Sequence, residues 1–259
     1  MAFFQMQYHS DALMMQVTVN VILPERATTM IGMEAKGQDS FKTLYLLHGL
    51  SDDHSIWMRR TSIERYASEY NIAVVMPSVG RSWYTDTVRK EKYFTFVSEE
   101  LPIKCRSFFK GMSERPEDNI VAGLSMGGYG ALKCALSRPD RFGMCASLSG
   151  ALDITQIIDP GLLPEWRCIF DLNMQSAREL AGTKHDLLAL ASQLHEKGIA
   201  FPKIFIWCGE DDFLLQHNQS FTAHLTSLGV AHEYRTSEGN HGWKWWDMHI
   251  QSALEYLIG

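Results

Sequence analysis

A serine lies between two glycines in "GLSMG", residues 123–127, which matches the pattern G-x-S-x-G. A serine hydroxyl is a weak nucleophile at neutral pH, so covalent chemistry at Ser125 requires a histidine base and a carboxylate that orients the histidine. The pattern is typical of a sharp strand-to-helix turn in which glycines leave room beside the serine. We therefore predict that Ser125 attacks an acyl carbonyl, the alternative being a glycine turn that merely contains a serine.

The residues around this pattern favour the nucleophile. A short β-type run, "NIVA", precedes it, and apolar residues recur at helical spacing after it until Pro139 marks a stop. The amino end of that helix would direct free N–H groups and the positive end of its dipole at Ser125.

Candidate acids and bases follow the serine in the chain. Asp211 and Asp212 come directly after the apolar run "KIFIWCG", where a later strand ends, and either could be the acid, although an ordinary acidic loop is the alternative. Of the ten histidines, His241 lies beside glycines in a loop that enters a helix, after another strand. We predict His241 as the base. His48 closes an early strand beside Gly49 and is expected to help shape the pocket.

Acyl transfer also needs backbone donors for the developing oxyanion. One is predicted at Met126, directly after the nucleophile, and the other at Leu50, where Gly49 permits a turn after an early strand; a plain turn there is the alternative. Two tryptophans, Trp83 and Trp243, could line an acyl or aryl pocket, since flat side chains bury much apolar area. Core or subunit contacts are the alternative for both.

The elements that must position these residues alternate along the chain. Compact apolar runs typical of buried parallel strands span 43–49, 72–78, 119–125, 144–150 and 203–209, with a further strand at 232–238. Helix-like segments span 62–70, 93–110, 129–137, 186–197, 216–228 and 244–257. Residues 4–8 and 16–23 precede them and read as an antiparallel strand pair. The pattern predicts a doubly wound, mostly parallel α/β sheet with helices on both faces.

The chain has no repeat, low-complexity segment or linker, which predicts a single domain over residues 1–259. Residues 151–185 are longer than a strand-to-helix connection requires. Connections of that length usually cover a site or carry small elements of their own, so we predict a cap insertion there.

Composition excludes several classes of function. The formal net charge is −6 and no basic run occurs, which argues against a nucleic-acid partner. The first residues do not have the pattern of a secretory signal, and no stretch approaches 18 uninterrupted apolar residues. We therefore predict a soluble, cytoplasmic protein. The five cysteines are odd in number, scattered and without C-x-x-C spacing, which predicts buried thiols and no metal site.

Several stretches together resemble the esterase D and tributyrin esterase branch of the α/β-hydrolases, whose relatives include S-formylglutathione hydrolases, feruloyl and acetyl-xylan esterases and mycolyltransferases. They are "LYLLHGLSDDHSIWMRRTSIERY", "VVMPSVGRSWYTD", "SEELP", "VAGLSMGGYGAL", "WCGEDDFL" and "GNHGWKWWD". The resemblance implies a triad of Ser125, Asp212 and His241, since the family acid lies three residues after the glycine of "CGxxDF". It also implies oxyanion amides at Leu50 and Met126.

The expected function is that of a serine carboxylesterase that hydrolyses short-chain acyl esters through an acyl-enzyme, without cofactor or metal. The resemblance implies this substrate class and homo-oligomers. "HGLS" replaces the His-Gly-Gly-Gly of larger lipases, which fits this branch. The alternatives are an acyltransferase or an S-formylglutathione hydrolase-like thioesterase on the same site, and a non-catalytic binding module that keeps the hydrolase fold.

Overall fold

The computed structural model describes residues 1–25, 40–157 and 161–259. These residues form an eight-stranded sheet in the order β1-β2-β4-β3-β5-β6-β7-β8. The strands are β1 (Ala2–Ser10), β2 (Met15–Leu23), β3 (Thr43–Leu47), β4 (Ala73–Pro77), β5 (Asn119–Leu124), β6 (Met144–Leu148), β7 (Lys203–Gly209) and β8 (Glu233–Ser237). Strands β1 and β2 form an antiparallel pair, and β2 joins β4 antiparallel. The remaining neighbours are parallel, which confirms the predicted fold class.

The helices follow the predicted alternation with strands. They are α1 (Ile56–Arg60), α2 (Ile63–Tyr70), α3 (Tyr93–Thr95), α4 (Leu101–Phe108), α5 (Met126–Ser137), α6 (Leu163–Ile169), α7 (Leu187–Glu196), α8 (Leu215–Ser227) and α9 (Trp243–Ile258). A π-helical turn, Phe96–Glu100, joins α3 to α4, so the single helix predicted over 93–110 consists of three consecutive segments. None of the helices in the described ranges is both long and apolar enough to span a membrane.

The central strands are buried on both faces, as their continuous apolar runs predict. Every residue of β3, β4, β5 and β6 is buried. Successive residues of a strand contribute to two separate cores: Tyr45 and Val121 belong to one, and Leu44 and Ile120 to the other. The helices that cover each face therefore exclude water from the sheet and fix the loops at its edge.

The carboxyl ends of parallel strands meet at one edge of a sheet, where α/β proteins place their ligands. Here β3, β5, β6 and β7 pair in parallel register. The residues that follow these strands, including Leu50, Ser125 and Asp212, therefore collect at that edge.

Residues 151–185 carry small elements of their own. They hold the 3₁₀ turns Ile154–Gln156 and Ala177–Leu180 and helix α6, and residues 158–160 lie outside the described part of the chain. The segment begins beside the candidate nucleophile, since the Ala151 amide donates to the Ser125 carbonyl at 3.3 Å. Trp166 of α6 packs edge-on against Trp83, with 5.0 Å between ring centroids.

Candidate active site

Ser125 lies on a strained turn between β5 and α5. Its φ of +52° and ψ of −120° fall in a region that residues with a side chain rarely adopt. The turn is closed by a hydrogen bond from the Ser125 amide to the Leu148 carbonyl at 3.0 Å. A Cβ at Gly123 would meet the Gly127 carbonyl oxygen at 2.4 Å, and one at Gly127 would meet the Leu47 carbonyl oxygen at 2.5 Å. The two glycines are thus required by close backbone packing.

The structure brings His241 to Ser125 from the far end of the chain. The Nε2 atom of His241 lies 3.0 Å from Ser125 Oγ. The histidine stands in the loop between β8 and α9, one residue before the Gly242 cap of that helix. The imidazole is partly exposed, with 19% of its side chain accessible, so it can reach both the serine and an arriving substrate.

Asp212 completes the hydrogen-bonded series, whereas Asp211 is exposed. His241 Nδ1 lies 2.9 Å from Asp212 Oδ2, and the Leu214 amide donates to Asp212 Oδ1 at 2.9 Å. The carboxylate is fully buried. Burial acts to raise the pKa of Asp212, but the contact with His241, the Leu214 amide and the Ser149 hydroxyl outweigh it and hold the pKa below its ordinary value.

This arrangement determines which imidazole nitrogen carries the proton. An ionised carboxylate can only accept, so Nδ1–H donates to Asp212 and the lone pair of Nε2 faces the Ser125 hydroxyl. The imidazole can then remove the serine proton without moving. The buried negative charge stabilises the imidazolium that results.

The two predicted oxyanion donors lie in segments next to Ser125. Met126 is the first residue of α5, and the first amides of a helix have no intrahelical acceptor. The loop that carries Leu50 passes close to Ser125, since a Cβ added at the neighbouring Gly49 would lie 3.8 Å from Ser125 Cβ. In the described ranges, neither amide donates to a backbone acceptor outside the regular elements. Both can therefore serve a ligand oxygen.

His48 is buried beside this loop and supports it through hydrogen bonds. The residue is only 1% exposed, and its ring nitrogens bond to the Gly49 carbonyl at 2.7 Å and the Val79 amide at 3.0 Å. Since the Val79 amide donates to Nε2, the proton lies on Nδ1, and burial lowers the pKa of the ring. His48 therefore holds the loop beside Leu50, and its ring is not exposed to a ligand.

The two predicted pocket tryptophans differ in their surroundings. Trp83 is 3% exposed and packs edge-on against Tyr129, with 5.9 Å between centroids, so it belongs to the core. Trp243 is half-buried and packs against Trp57 and Trp246. The indole that contacts the His241 imidazole is that of Trp246, at 4.9 Å between centroids.

Two further residues at the site escaped the sequence analysis. The Phe213 ring lies 4.5 Å from the His241 ring and is 74% exposed. Ser149 is fully buried, has a φ of +49°, and accepts a hydrogen bond from Trp246 Nε1 at 3.0 Å. Phe213 could have been found from the sequence, because it directly follows the candidate acid Asp212. Ser149 has no local sequence signal that marks it.

The sequence of this chain is similar to those of known esterases over nearly its full length. Residues 10–257 match the sequence model of the Esterase family, described as "Putative esterase". An acetyl esterase of Caldicellulosiruptor saccharolyticus is 34% identical over 269 residues, covering 99% of this chain and 98% of that protein.

Solved structures resemble the fold over its whole length. The fluorophosphonate-binding serine hydrolase FphF of Staphylococcus aureus superposes with a TM-score of 0.88 at 32% identity, covering 100% of this chain and 98% of the other. The S-formylglutathione hydrolase FrmB of the same organism superposes with a TM-score of 0.85 at 32% identity, covering 100% and 99%.

Proposed function

The chain belongs to the Esterase family and is a serine hydrolase that acts on ester bonds, and on that premise we propose that it is a carboxylesterase of short-chain acyl esters. The proposal assigns Ser125 as nucleophile, His241 as base and Asp212 as the acid. One observation carries it: Ser125 Oγ, His241 and Asp212 form an unbroken series of contacts of 3.0 and 2.9 Å.

Acylation begins when Ser125 Oγ attacks the ester carbonyl carbon and His241 Nε2 takes the hydroxyl proton. The carbonyl π electrons move to the oxygen, where the amides of Leu50 and Met126 donate to the negative charge. Collapse of this intermediate breaks the bond to the alcohol oxygen, which receives the proton from His241. The products of the step are an acyl-Ser125 ester and a free alcohol.

Deacylation repeats the sequence with water in place of the serine. His241 takes a proton from the water as it attacks the acyl carbon, and the same two amides hold the oxyanion. Collapse returns the proton to Ser125 Oγ and releases the carboxylic acid. Asp212 holds the imidazole in one tautomer through both halves of the cycle.

A short acyl group is supported by the acetyl esterase relative, which matches this chain over nearly its full length. Tributyrin and related short esters belong to the same proposed class. Thioesters are a second candidate, because the fold and 32% of the residues are shared with an S-formylglutathione hydrolase. Acyl transfer to an alcohol or thiol uses the same acyl-enzyme, and it would appear as transfer product in excess of free acid when an acceptor is added.

The Ser125→Ala variant tests the assignment. Turnover of p-nitrophenyl acetate is expected to fall by several orders of magnitude with an unchanged melting temperature, because the nucleophile is lost while the fold is kept. A fluorophosphonate probe should label the wild-type chain at Ser125 and leave the variant unlabelled. Full activity in the variant would contradict the proposal.

We also propose where the protein acts, how its chain is organised and how it assembles. We place the protein in the cytoplasm, supported by its free cysteines. We take the chain as one domain whose residues 151–185 cap the site, supported by the contact of Ala151 with Ser125. Homo-oligomers are expected from the resemblance to this branch, and light scattering of the purified chain tests them.

A further inference from the structure

Phe213 is an exposed aromatic side chain beside the catalytic base. It is 74% accessible, more than any other large hydrophobic residue in the described part of the chain. Leaving a phenylalanine in water forfeits the free energy that its burial would provide. The mechanism described above does not use it.

The backbone fixes Phe213 in this position. On one side, the Asp212 amide donates to the Gly209 carbonyl at 3.2 Å, and on the other, Leu214 is buried and its amide donates to Asp212 Oδ1 at 2.9 Å. The next residue, Leu215, donates to the Asp212 carbonyl at 3.0 Å. The phenyl ring is therefore held outside the core by a closed turn, not by a mobile loop.

The phenyl ring touches the imidazole that handles the leaving group. The centroids of Phe213 and His241 are 4.5 Å apart with the rings inclined at 45°. His241 also contacts Trp246, but that indole is 5% exposed and so is covered by protein. Of these two aromatic neighbours, only Phe213 offers an uncovered apolar face to a ligand.

The chemistry places the alcohol portion of the ester near this face. His241 Nε2 must come within hydrogen-bonding distance of the leaving oxygen to protonate it. A ring attached to that oxygen then lies within reach of a phenyl group 4.5 Å from the imidazole. Aromatic rings at such distances attract each other in offset or edge-on arrangements.

We propose that Phe213 is a specificity-determining residue that contacts the alcohol portion of the ester and favours esters of aromatic alcohols over those of aliphatic alcohols. This inference rests on the proposed function, because it requires His241 to act on a leaving group. It concerns acylation alone, since the alcohol has departed before water attacks the acyl-enzyme.

The experiment uses Phe213→Ala and Phe213→Leu with acetate esters that differ only in the alcohol: phenyl, 2-naphthyl and 2,2,2-trifluoroethyl acetate. Loss of the ring is expected to lower kcat/KM for the two aryl esters by about tenfold and to leave the trifluoroethyl ester within about twofold. Single-turnover deacylation of the common acetyl-enzyme is expected to keep its wild-type rate. Phe108→Ala, which removes a phenylalanine that is 53% exposed on α4, is the matched control and should alter neither quantity.

Three results would overturn the inference, and labelling of the variants separates it from the proposed function. An equal loss for all three esters, with slower deacylation, would mean that Phe213 positions His241. Unchanged kcat/KM for the aryl esters would mean that the ring contacts no substrate. Labelling of each variant by a fluorophosphonate shows that the nucleophile is intact, so failure of the inference with labelling retained leaves the proposed function standing. Absence of labelling in the wild-type chain would overturn both.

Discussion

Ser149 is a buried residue whose hydroxyl affects the pKa of Asp212. Its amide donates to the Trp207 carbonyl at 2.7 Å, and its side chain accepts from Trp246 Nε1 at 3.0 Å. The same hydroxyl lies near Asp212 and helps to hold the pKa of that carboxyl down. A φ of +49° is unfavourable for serine, so the strain is maintained by these contacts. We therefore expect the Ser149 hydroxyl to help keep Asp212 ionised.

Ser149→Gly is expected to lower kcat/KM by about tenfold, because it removes a donor to the carboxylate while relieving the positive φ. The pKa of Asp212 is held below its ordinary value, so losing this donor should raise it. A titration of the Asp212 carboxyl by NMR should therefore show a higher pKa in Ser149→Gly than in the wild type. Ser147→Ala, which removes a nearby buried hydroxyl without a partner in the described residues, should leave the pKa of Asp212 unchanged. An unchanged pKa of Asp212 in Ser149→Gly would exclude the role.

At the scale of elements, the site depends on how closely β5 and α5 approach β3. The backbone of the turn between β5 and α5, which we call the elbow, packs against the carbonyl groups of Leu47 and His48 at the end of β3. The Tyr84 hydroxyl donates to the His48 carbonyl at 2.9 Å and the Val79 amide to His48 Nε2 at 3.0 Å, which fixes the adjacent loop. Ser125 and the Leu50 amide therefore share one rigid support.

Gly127→Ala is expected to separate these two elements. The added Cβ would lie 2.5 Å from the Leu47 carbonyl oxygen and 2.6 Å from that of His48, and backbone atoms cannot yield cheaply. Since a shift of about 1 Å at reacting atoms can lower activity a hundredfold, we expect a loss of at least that size in kcat/KM, together with a lower melting temperature.

Gly198→Ala is the matched control for this prediction. Gly198 has a φ of +63° but nothing within 4 Å of its Cβ position, so the substitution carries backbone strain alone. It should lower the melting temperature slightly and leave kcat/KM unchanged. A Gly127→Ala variant as active as Gly198→Ala would contradict the account of the elbow.

At the scale of the whole molecule, the sheet separates two apolar cores that make much of the chain inaccessible to water. Cys105, Cys134, Cys145 and Cys208 are each 0% exposed, whereas Cys168 on α6 is partly exposed. Burial raises the pKa of both the Cys105 and the Cys134 thiol to about 12. The thiolate is the reactive form of cysteine. Cys105 and Cys134 should therefore react slowly with thiol reagents, because the reagent cannot reach them and because they stay protonated.

A thiol titration with a disulfide reagent is expected to detect about one rapidly reacting group in the native protein, Cys168, and all five in denaturant. Cys168→Ser should abolish the rapid native reaction and leave four groups after unfolding. Rapid reaction of two or more thiols in the folded variant would mean that the cores open far more readily than their burial indicates.

Local sequence patterns predict the kind and order of the elements and indicate Ser125 as the candidate nucleophile. Apolar runs, turn residues and the "GLSMG" pattern are local, so they predict the strands, helices and elbow without knowledge of the packing. The chain order of serine, acid and histidine is likewise read directly. The choice between Asp211 and Asp212 was not local: it came from resemblance, and the structure buries Asp212 against His241.

Contacts between distant segments, by contrast, set which side chains reach the pocket and which support it. His48 and Trp83 were both predicted to lie at the pocket, yet both are buried. Phe213 was not predicted there, yet it is exposed beside His241. The strained Ser149 owes its place to Trp207 and Trp246, residues far away in the chain. Burial and hydrogen-bond partners depend on which distant segments pack together, and a pattern of neighbouring residues does not encode that by itself.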